Sequence, residues 1–313
     1  MAAPRPAPLF DCDAPAGGRA FWLRAGDGVQ LRLAHWPGDR RHVLILPGRT
    51  EWIEKYGQVV AALARAGWGA LVLDWRGQGL SDRLAPDARL GHVGRFTDYQ
   101  IDLHAALAAA AELAPGPGPL PILAHSMGGC ILLRALTEGL QTPAVAFSAP
   151  MWGLDQPFGL RLGLRAGAAL TGPFGRDAAY TPTTGPEYGL LSMVFADNPL
   201  TRDRAQFDRM KAQLAAHPEL TVGGPSLRWI AAALAEMRAL ARAPSPGLPA
   251  LIGLGDNERI VSPAAIHRRA AAWTSADLVT YAEAEHELLM ESPKVRDDFL
   301  ARALALFSAH VAA

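Results

Sequence analysis

The stretch "PILAHSMGGC", residues 121–130, runs apolar up to one serine, Ser126, and then continues at once into two glycines. A serine hydroxyl attacks a carbonyl carbon when a base takes its proton, an acid orients that base, and N–H donors receive the oxyanion. A strand that turns sharply into a helix at the serine holds such a hydroxyl out at the turn. Here "LPIL" supplies the strand and Met127 supplies an N–H at the helix start. Gly128 and Gly129 let the helix lie close to the sheet. The competing reading is a serine that only caps the following helix. A second serine, Ser245, fits the same relaxed pattern in "APSPG". It is followed by Pro246, which has no N–H for an oxyanion, and its apolar run comes after it. Ser245 is expected in a loop.

The base and the acid should come later in the chain, in loops that follow strands. Of nine histidines, only His286 follows a late apolar run just ahead of a final helix, in "YAEAEHELLMESP". His125 adjoins Ser126, but its side chain is expected to point away from it. The acid should follow the preceding run, "PALIGLG", where "GDNERIVSP" offers both Asp256 and Glu258. The residues themselves leave these two open. A second oxyanion donor is the N–H of Arg49, where the early run "LILPGRTEW" stops at Pro47-Gly48.

These groups need a scaffold, and six short runs of nearly unbroken apolar residues provide one: 42–48, 69–75, 119–126, 143–150, 249–255 and 277–284. Runs without alternation suggest strands covered on both faces, as in a parallel sheet. Helical patterns lie between them, at 56–66 and after Thr97, where Thr97 and Gln100 match a capping box. Ser262-Pro263 and Ser292-Pro293 mark two further helix starts. The alternation predicts an α/β fold with a mostly parallel, doubly wound sheet. Residues 21–36 predict an antiparallel hairpin ahead of it. Between 154 and 246 the rhythm breaks into helical patterns with no strand. One of them places Leu227, Ile230, Leu234 and Met237 on a single face. The expected organisation is a core in two parts, 1–153 and 247–313, with a helical insertion at 154–246.

Bulk properties exclude several functions. Of 313 residues 50% are hydrophobic, and 30 basic residues balance 30 acidic ones, so nothing favours nucleic acid as a partner. Two cysteines, Cys12 and Cys130, stand far apart in no metal or redox spacing, which fits a reducing compartment. "HELLME" has one histidine and no zinc partner at helical spacing, so no metal is expected. The first ten residues have no signal-peptide core, and no apolar run is long enough to cross a bilayer. A soluble, cytoplasmic enzyme is expected.

"LPGRTEWIEKY", "GALVLDWRGQGLSDR", "LGHVGRFTDYQIDL", "ILAHSMGG", "NPLTRDRAQFDRM" and "AEHELLMESP" together resemble the bacterial lysophospholipases. Those belong to the monoacylglycerol-lipase-like branch of the α/β-hydrolases. The resemblance runs from about residue 20 to the C-terminus. It implies Ser126 as nucleophile, His286 as base, Met127 and Arg49 as oxyanion donors, a helical lid over an acyl pocket and no cofactor. It implies hydrolysis of a lysophospholipid or monoacylglycerol ester. In the related lipases the acid stands directly before an Arg/Lys-Ile-Val stretch, which here places it at Glu258. Two departures are Ala124 for the first glycine of G-x-S-x-G, and Pro47 where many members carry histidine. The alternatives are a hydrolase of small soluble esters or thioesters with the same triad, and a non-catalytic binding module. Apolar faces of the insertion, including Leu227, Ile230 and Leu234, are expected to line the acyl pocket. The basic stretch 158–170, with Arg161 and Arg165, is the candidate for transient contact with a membrane surface, peripheral at its inner face; core packing is its competing reading.

Overall fold

The computed structural model describes residues 5–39, 41–116, 118–154, 177–182 and 184–311. All six apolar runs form strands: β4 (Arg41–Leu46), β5 (Trp68–Asp74), β6 (Ile122–His125), β7 (Val145–Ser148), β8 (Ala250–Gly255) and β9 (Ala276–Tyr281). They pair in parallel. The expected hairpin is β2 (Arg19–Arg24) with β3 (Gln30–Trp36), antiparallel, and β1 (Arg5–Ala7) adds an edge strand that the sequence did not predict. The order across the sheet is β1-β2-β3-β5-β4-β6-β7-β8-β9.

The lack of alternation has a direct cause. In β4, Val43 and Ile45 enter the hydrophobic cluster on one face, while Leu44 and Leu46 enter the cluster on the other. β5 divides in the same way, Ala70 and Val72 against Leu71 and Leu73. Burying a side chain of this size stabilises by roughly 1.5–3 kcal/mol, and here both sides of each strand do so. Helices α1 (Gly57–Arg65) and α8 (Pro293–His310) cover the first face. Helices α2 (Asp98–Leu113), α3 (Met127–Thr137) and α7 (Pro263–Ala271) cover the second.

This winding decides where a site can open. After β4 the chain goes to α1 on one face, and after β6 it goes to α3 on the other. The two loops therefore part at the C-terminal ends of adjacent strands and leave a crevice between them, the usual ligand position in open α/β sheets.

Between β7 and β8 the described residues contribute α4 (Gly189–Ser192), α5 (Arg204–Ala216) and α6 (Leu227–Arg242), and no strand of the sheet. On α6, Leu234 and Met237 are buried in the cluster that also holds Met127 and Trp152, and Ile230 packs against it. These side chains are core. The stretch 158–170, with Arg161 and Arg165, lies outside the described residues. Among the described residues no helix is long and apolar enough to cross a membrane.

The capping box at α2 does not form. Thr97 already has helical backbone angles and makes no side-chain cap bond. The Gln100 side chain instead donates to the Ile131 carbonyl at 3.0 Å, tying α2 to α3. Ser262 and Ser292 do precede proline at the first turns of α7 and α8, but neither side chain makes a cap bond.

Candidate active site

Ser126 lies between the last residue of β6 and the first of α3, at φ 48° and ψ −113°. Such angles cost a non-glycine residue on the order of 1–3 kcal/mol and persist only where surroundings fix them. The Ser126 N–H donates to Ser148 O at 3.0 Å, and its carbonyl accepts from Gly129, Cys130 and Met151. The Ser126 side chain makes no cap bond to α3, so the hydroxyl is not spent on the helix. Close approach of α3 requires the glycines. A Cβ on Gly128 would overlap the Leu46 carbonyl, and one on Gly129 would meet Pro150 Cβ at 2.7 Å. Ala124 is fully buried in β6, a position that tolerates its one methyl. Strain concentrates at this end of the sheet. Thr50, Ser126, Ala149 and Glu283 all have positive φ, and each follows the C-terminal end of a parallel strand by four residues or fewer.

His286, in the loop after β9, reaches Ser126 Oγ with Nε2 at 2.9 Å and Glu258 Oε2 with Nδ1 at 2.7 Å. A carboxylate only accepts, so Nδ1 carries the hydrogen and Nε2 offers its lone pair to the serine hydroxyl. Glu258, in the loop after β8, is 8% exposed, whereas Asp256 is open to solvent. Geometry thus separates the two carboxylates the sequence left open, and Glu258 is the one beside the histidine. Burial pushes its carboxyl pKa up. The His286 ring and the N–H groups of Val261 and Ile260 outweigh that and hold it below the ordinary value. The Ile260 and Val261 N–H groups bind Oε1 at 2.7 and 3.0 Å respectively, leaving Oε2 for the histidine.

The loop after β4 is fixed around one amide. Trp75 Nε1 donates to Pro47 O at 2.9 Å, and Gln78 Nε2 donates to Gly48 O at 3.1 Å. Gly48 N–H goes to Glu51 Oε2, and Thr50 N–H goes to Gln78 Oε1. The N–H of Arg49, between them, has no acceptor among the described residues. Met127 N–H belongs to the first turn of α3, where amides have no intrahelical partner. These are the two donors expected from the sequence, one from each side of the crevice.

Several residues of the site were not singled out in the sequence. Lys55 Nζ bonds Glu51 Oε1 at 2.5 Å and Glu287 Oε1 at 2.7 Å, with all three side chains buried. It thereby joins the Arg49 loop to the His286 loop. Glu51, His125 and Glu287 bring three ligand-capable atoms within 4.8 Å of one another, but the cation at this cluster is Lys55 itself. His125 makes no bond to Ser126, as expected, yet its ring stands 4.8 Å from that of His286. Its Nδ1 donates to Ser148 O at 2.9 Å, and burial pulls its pKa down to about 4, so it is neutral at pH 7. The segment 198–202 holds the histidine loop from outside: His286 and Glu287 N–H groups donate to the Pro199 and Leu200 carbonyls.

The segment 74–81 also works by support. Asp74 accepts from Ile53 N–H, Leu80 N–H and Arg32 Nε, and Arg32 continues to both oxygens of Glu54. A Cβ on Gly79 would strike the Asp74 carboxylate, and Gly79 has φ +52°. The loop that carries Gln78 therefore folds tightly over Asp74 and delivers Gln78 to the Arg49 loop. Spacing alone carried no signal for the long-range links, such as Arg32 to Asp74 across 42 positions and Lys55 to Glu287 across 232.

Known proteins resemble this chain in sequence and in fold. The chain is 35% identical over 299 residues to lysophospholipase L2 of Escherichia coli K12, covering 91% of this chain and 86% of the relative. It is 26% identical over 263 residues to the probable lysophospholipase L2 of Haemophilus influenzae, covering 83% and 82%. Among solved structures, a soluble variant of the Saccharomyces cerevisiae monoglyceride lipase superposes with a TM-score of 0.71. That pair shares 19% identity over 93% of this chain and 94% of the other. The Paleococcus ferrophilus monoacylglycerol lipase superposes with a TM-score of 0.68 at 18% identity, over 89% and 98%. Residues 38–293 match the Hydrolase_4 family, described as serine aminopeptidase, S33. A match across most of the chain, joined by a relative aligned nearly end to end, makes this protein a member of that family of α/β-hydrolases.

Proposed function

We propose that this protein is a serine hydrolase that cleaves carboxylic esters of lipid-like substrates, a lysophospholipid or a monoacylglycerol, through an acyl-enzyme intermediate. The observation that carries the reading is the unbroken chain from Ser126 Oγ through His286 to Glu258, at 2.9 and 2.7 Å, buried at the crevice of the sheet. In this reading Ser126 Oγ attacks the ester carbonyl carbon while His286 Nε2 takes its proton. The oxyanion is received by the N–H groups of Arg49 and Met127. Glu258 holds the Nδ1–H tautomer and stabilises the imidazolium. The imidazolium then protonates the leaving alcohol, and a water activated by His286 releases the fatty acid and restores Ser126.

The lysophospholipase and monoacylglycerol lipase names of the relatives and fold neighbours support a lipid ester as substrate. Residues 154–246 serve as a lid between the core segments 1–153 and 247–313. Leu191 and Val194, large apolar side chains 40% and 68% exposed, sit in that insertion and support transient contact with a lipid surface.

The test uses purified protein, lysophosphatidylcholine, monoacylglycerol and a graded series of p-nitrophenyl esters, with Ser126→Ala alongside. Turnover should favour medium or long acyl chains and fall by several orders of magnitude in Ser126→Ala. A fluorophosphonate should label Ser126. Preference for acetyl esters would remove the lipid assignment, and wild-type turnover in Ser126→Ala would remove the mechanism.

A further inference from the structure

The Arg49 side chain has no task in that mechanism, and its surroundings are unusual for a half-buried cation. Three buried cations near the site each meet two carboxylates. Arg32 meets Asp74 and Glu54, Lys55 meets Glu51 and Glu287, and Arg76 meets Asp102 and Asp27. Arg49 meets none among the described residues. One guanidinium nitrogen donates to Gly223 O at 2.8 Å, the guanidinium carbon lies 5.1 Å from the centre of the Trp229 ring, and Nε is buried without a partner. Its other neighbour is Gly91, where a Cβ would meet the guanidinium at 2.5 Å. Burial lowers its pKa to about 10, so it stays charged at neutral pH, half-buried and with no carboxylate beside it among the described residues. A partly desolvated cation without an anion keeps its charge poorly compensated, and an arriving anion gains more there than at a fully exposed position. A guanidinium is suited to a phosphate because its planar fork of donors matches the phosphate oxygens.

We propose that the Arg49 guanidinium is the headgroup-selecting group of this site and binds the phosphodiester of a lysophospholipid whose ester carbonyl rests on the Arg49 amide. The inference rests on the ester-hydrolase reading above and goes past it by choosing the anionic substrate over the neutral one. The same residue would then supply two contacts. Its backbone N–H receives the oxyanion, and its side chain holds the charge that distinguishes the two lipid classes. Trp229 forms a wall of the site, its ring centre 5.1 Å from the guanidinium carbon, and the phosphate would meet the guanidinium on its remaining donors.

The experiment compares kcat/KM for lysophosphatidylglycerol and monoacylglycerol with the same acyl chain, in neutral detergent micelles, for the wild type, Arg49→Lys and Arg49→Met. The readout is the ratio of the two values, because both variants alter a residue of the binding site and lower each rate. The wild-type ratio should favour the phospholipid. Arg49→Met should lower the ratio at least tenfold, and Arg49→Lys should restore part of it. Inhibition of wild-type monoacylglycerol hydrolysis by glycerol 3-phosphate, glycerol and inorganic phosphate provides a measurement that needs no variant. Glycerol 3-phosphate should inhibit at least tenfold more strongly than glycerol. If inorganic phosphate inhibits as well as glycerol 3-phosphate, the site holds free phosphate and the headgroup assignment is overturned. An equal fall on both substrates in Arg49→Met would overturn the proposal while leaving the hydrolase reading intact, because the charge would then serve the oxyanion or the contact with Gly223. Absence of turnover on both lipids in the wild type would overturn the two together.

Discussion

Replacing Glu258 by glutamine tests the assignment of the acid with almost no change of shape. The amide oxygen can still accept from Ile260 and Val261, so the loop after β8 keeps its anchor. The other end then presents an NH2 group to His286 Nδ1, now separated by 2.7 Å from a carboxylate oxygen. That donor favours the tautomer with hydrogen on Nε2, which cannot take the proton of Ser126. The imidazolium also loses its counter-charge. At a charge separation of about 4 Å and the effective dielectric of a protein site, that attraction is worth about 4 kcal/mol, or about a thousandfold in rate. Adding the wrong tautomer, kcat should fall about 10³- to 10⁴-fold. Asp256→Asn is the matched control. Asp256 is exposed, and among the described residues only its backbone N–H is engaged, to Tyr281 O at 3.0 Å. Its kcat should change by less than about twofold, since surface substitutions away from special features rarely matter. Steady-state turnover of a p-nitrophenyl ester measures both, with circular dichroism and thermal unfolding to show that each variant folds. A Glu258→Gln protein retaining a tenth of wild-type kcat, or a severe loss confined to Asp256→Asn, would refute the assignment.

Lys55→Met should destabilise the fold by about 3–5 kcal/mol, because Glu51 and Glu287 would then face each other buried and uncompensated. A melting temperature lowered by about 5–10 °C would agree with this, and an unchanged one would show that the cluster contributes nothing. Acid should weaken the protein through His125, whose pKa is near 4 folded against 6.5 for a free side chain. The unfolded chain takes up this proton first as pH falls through 6.5, so the stability is complete above 6.5 and is lost toward pH 4. Between pH 7 and 5 the loss from this group is about 2 kcal/mol. Urea unfolding at the two pH values should show a smaller difference in His125→Asn than in the wild type, and an equal difference would exclude His125 as the source.

The division between what the sequence determined and what only the folded chain decided follows the range of the interactions. Strand–helix alternation is a local property, so the six apolar runs and the hairpin at 21–36 were legible from periodicity and burial demand. The elbow was legible too, because strand, serine, N–H and glycines stand within a few consecutive residues. Chain order then singled out His286. One short signal misled: Thr97 and Gln100 have the letters of a capping box, yet Gln100 finds a better partner in the Ile131 carbonyl. Local spacing could not separate Glu258 from Asp256 or reveal that Lys55 joins Glu51 to Glu287. Asp256 and Glu258 are two residues apart on one loop, and only its path toward His286 buries one and leaves the other in water. Lys55 and Glu287 are 232 positions apart, and the sheet order that sets β4 and the loop after β9 at one rim brings their charges within 2.7 Å. A periodic pattern carries burial, but the pairing of buried charges depends on where the winding of the sheet sets distant loops side by side.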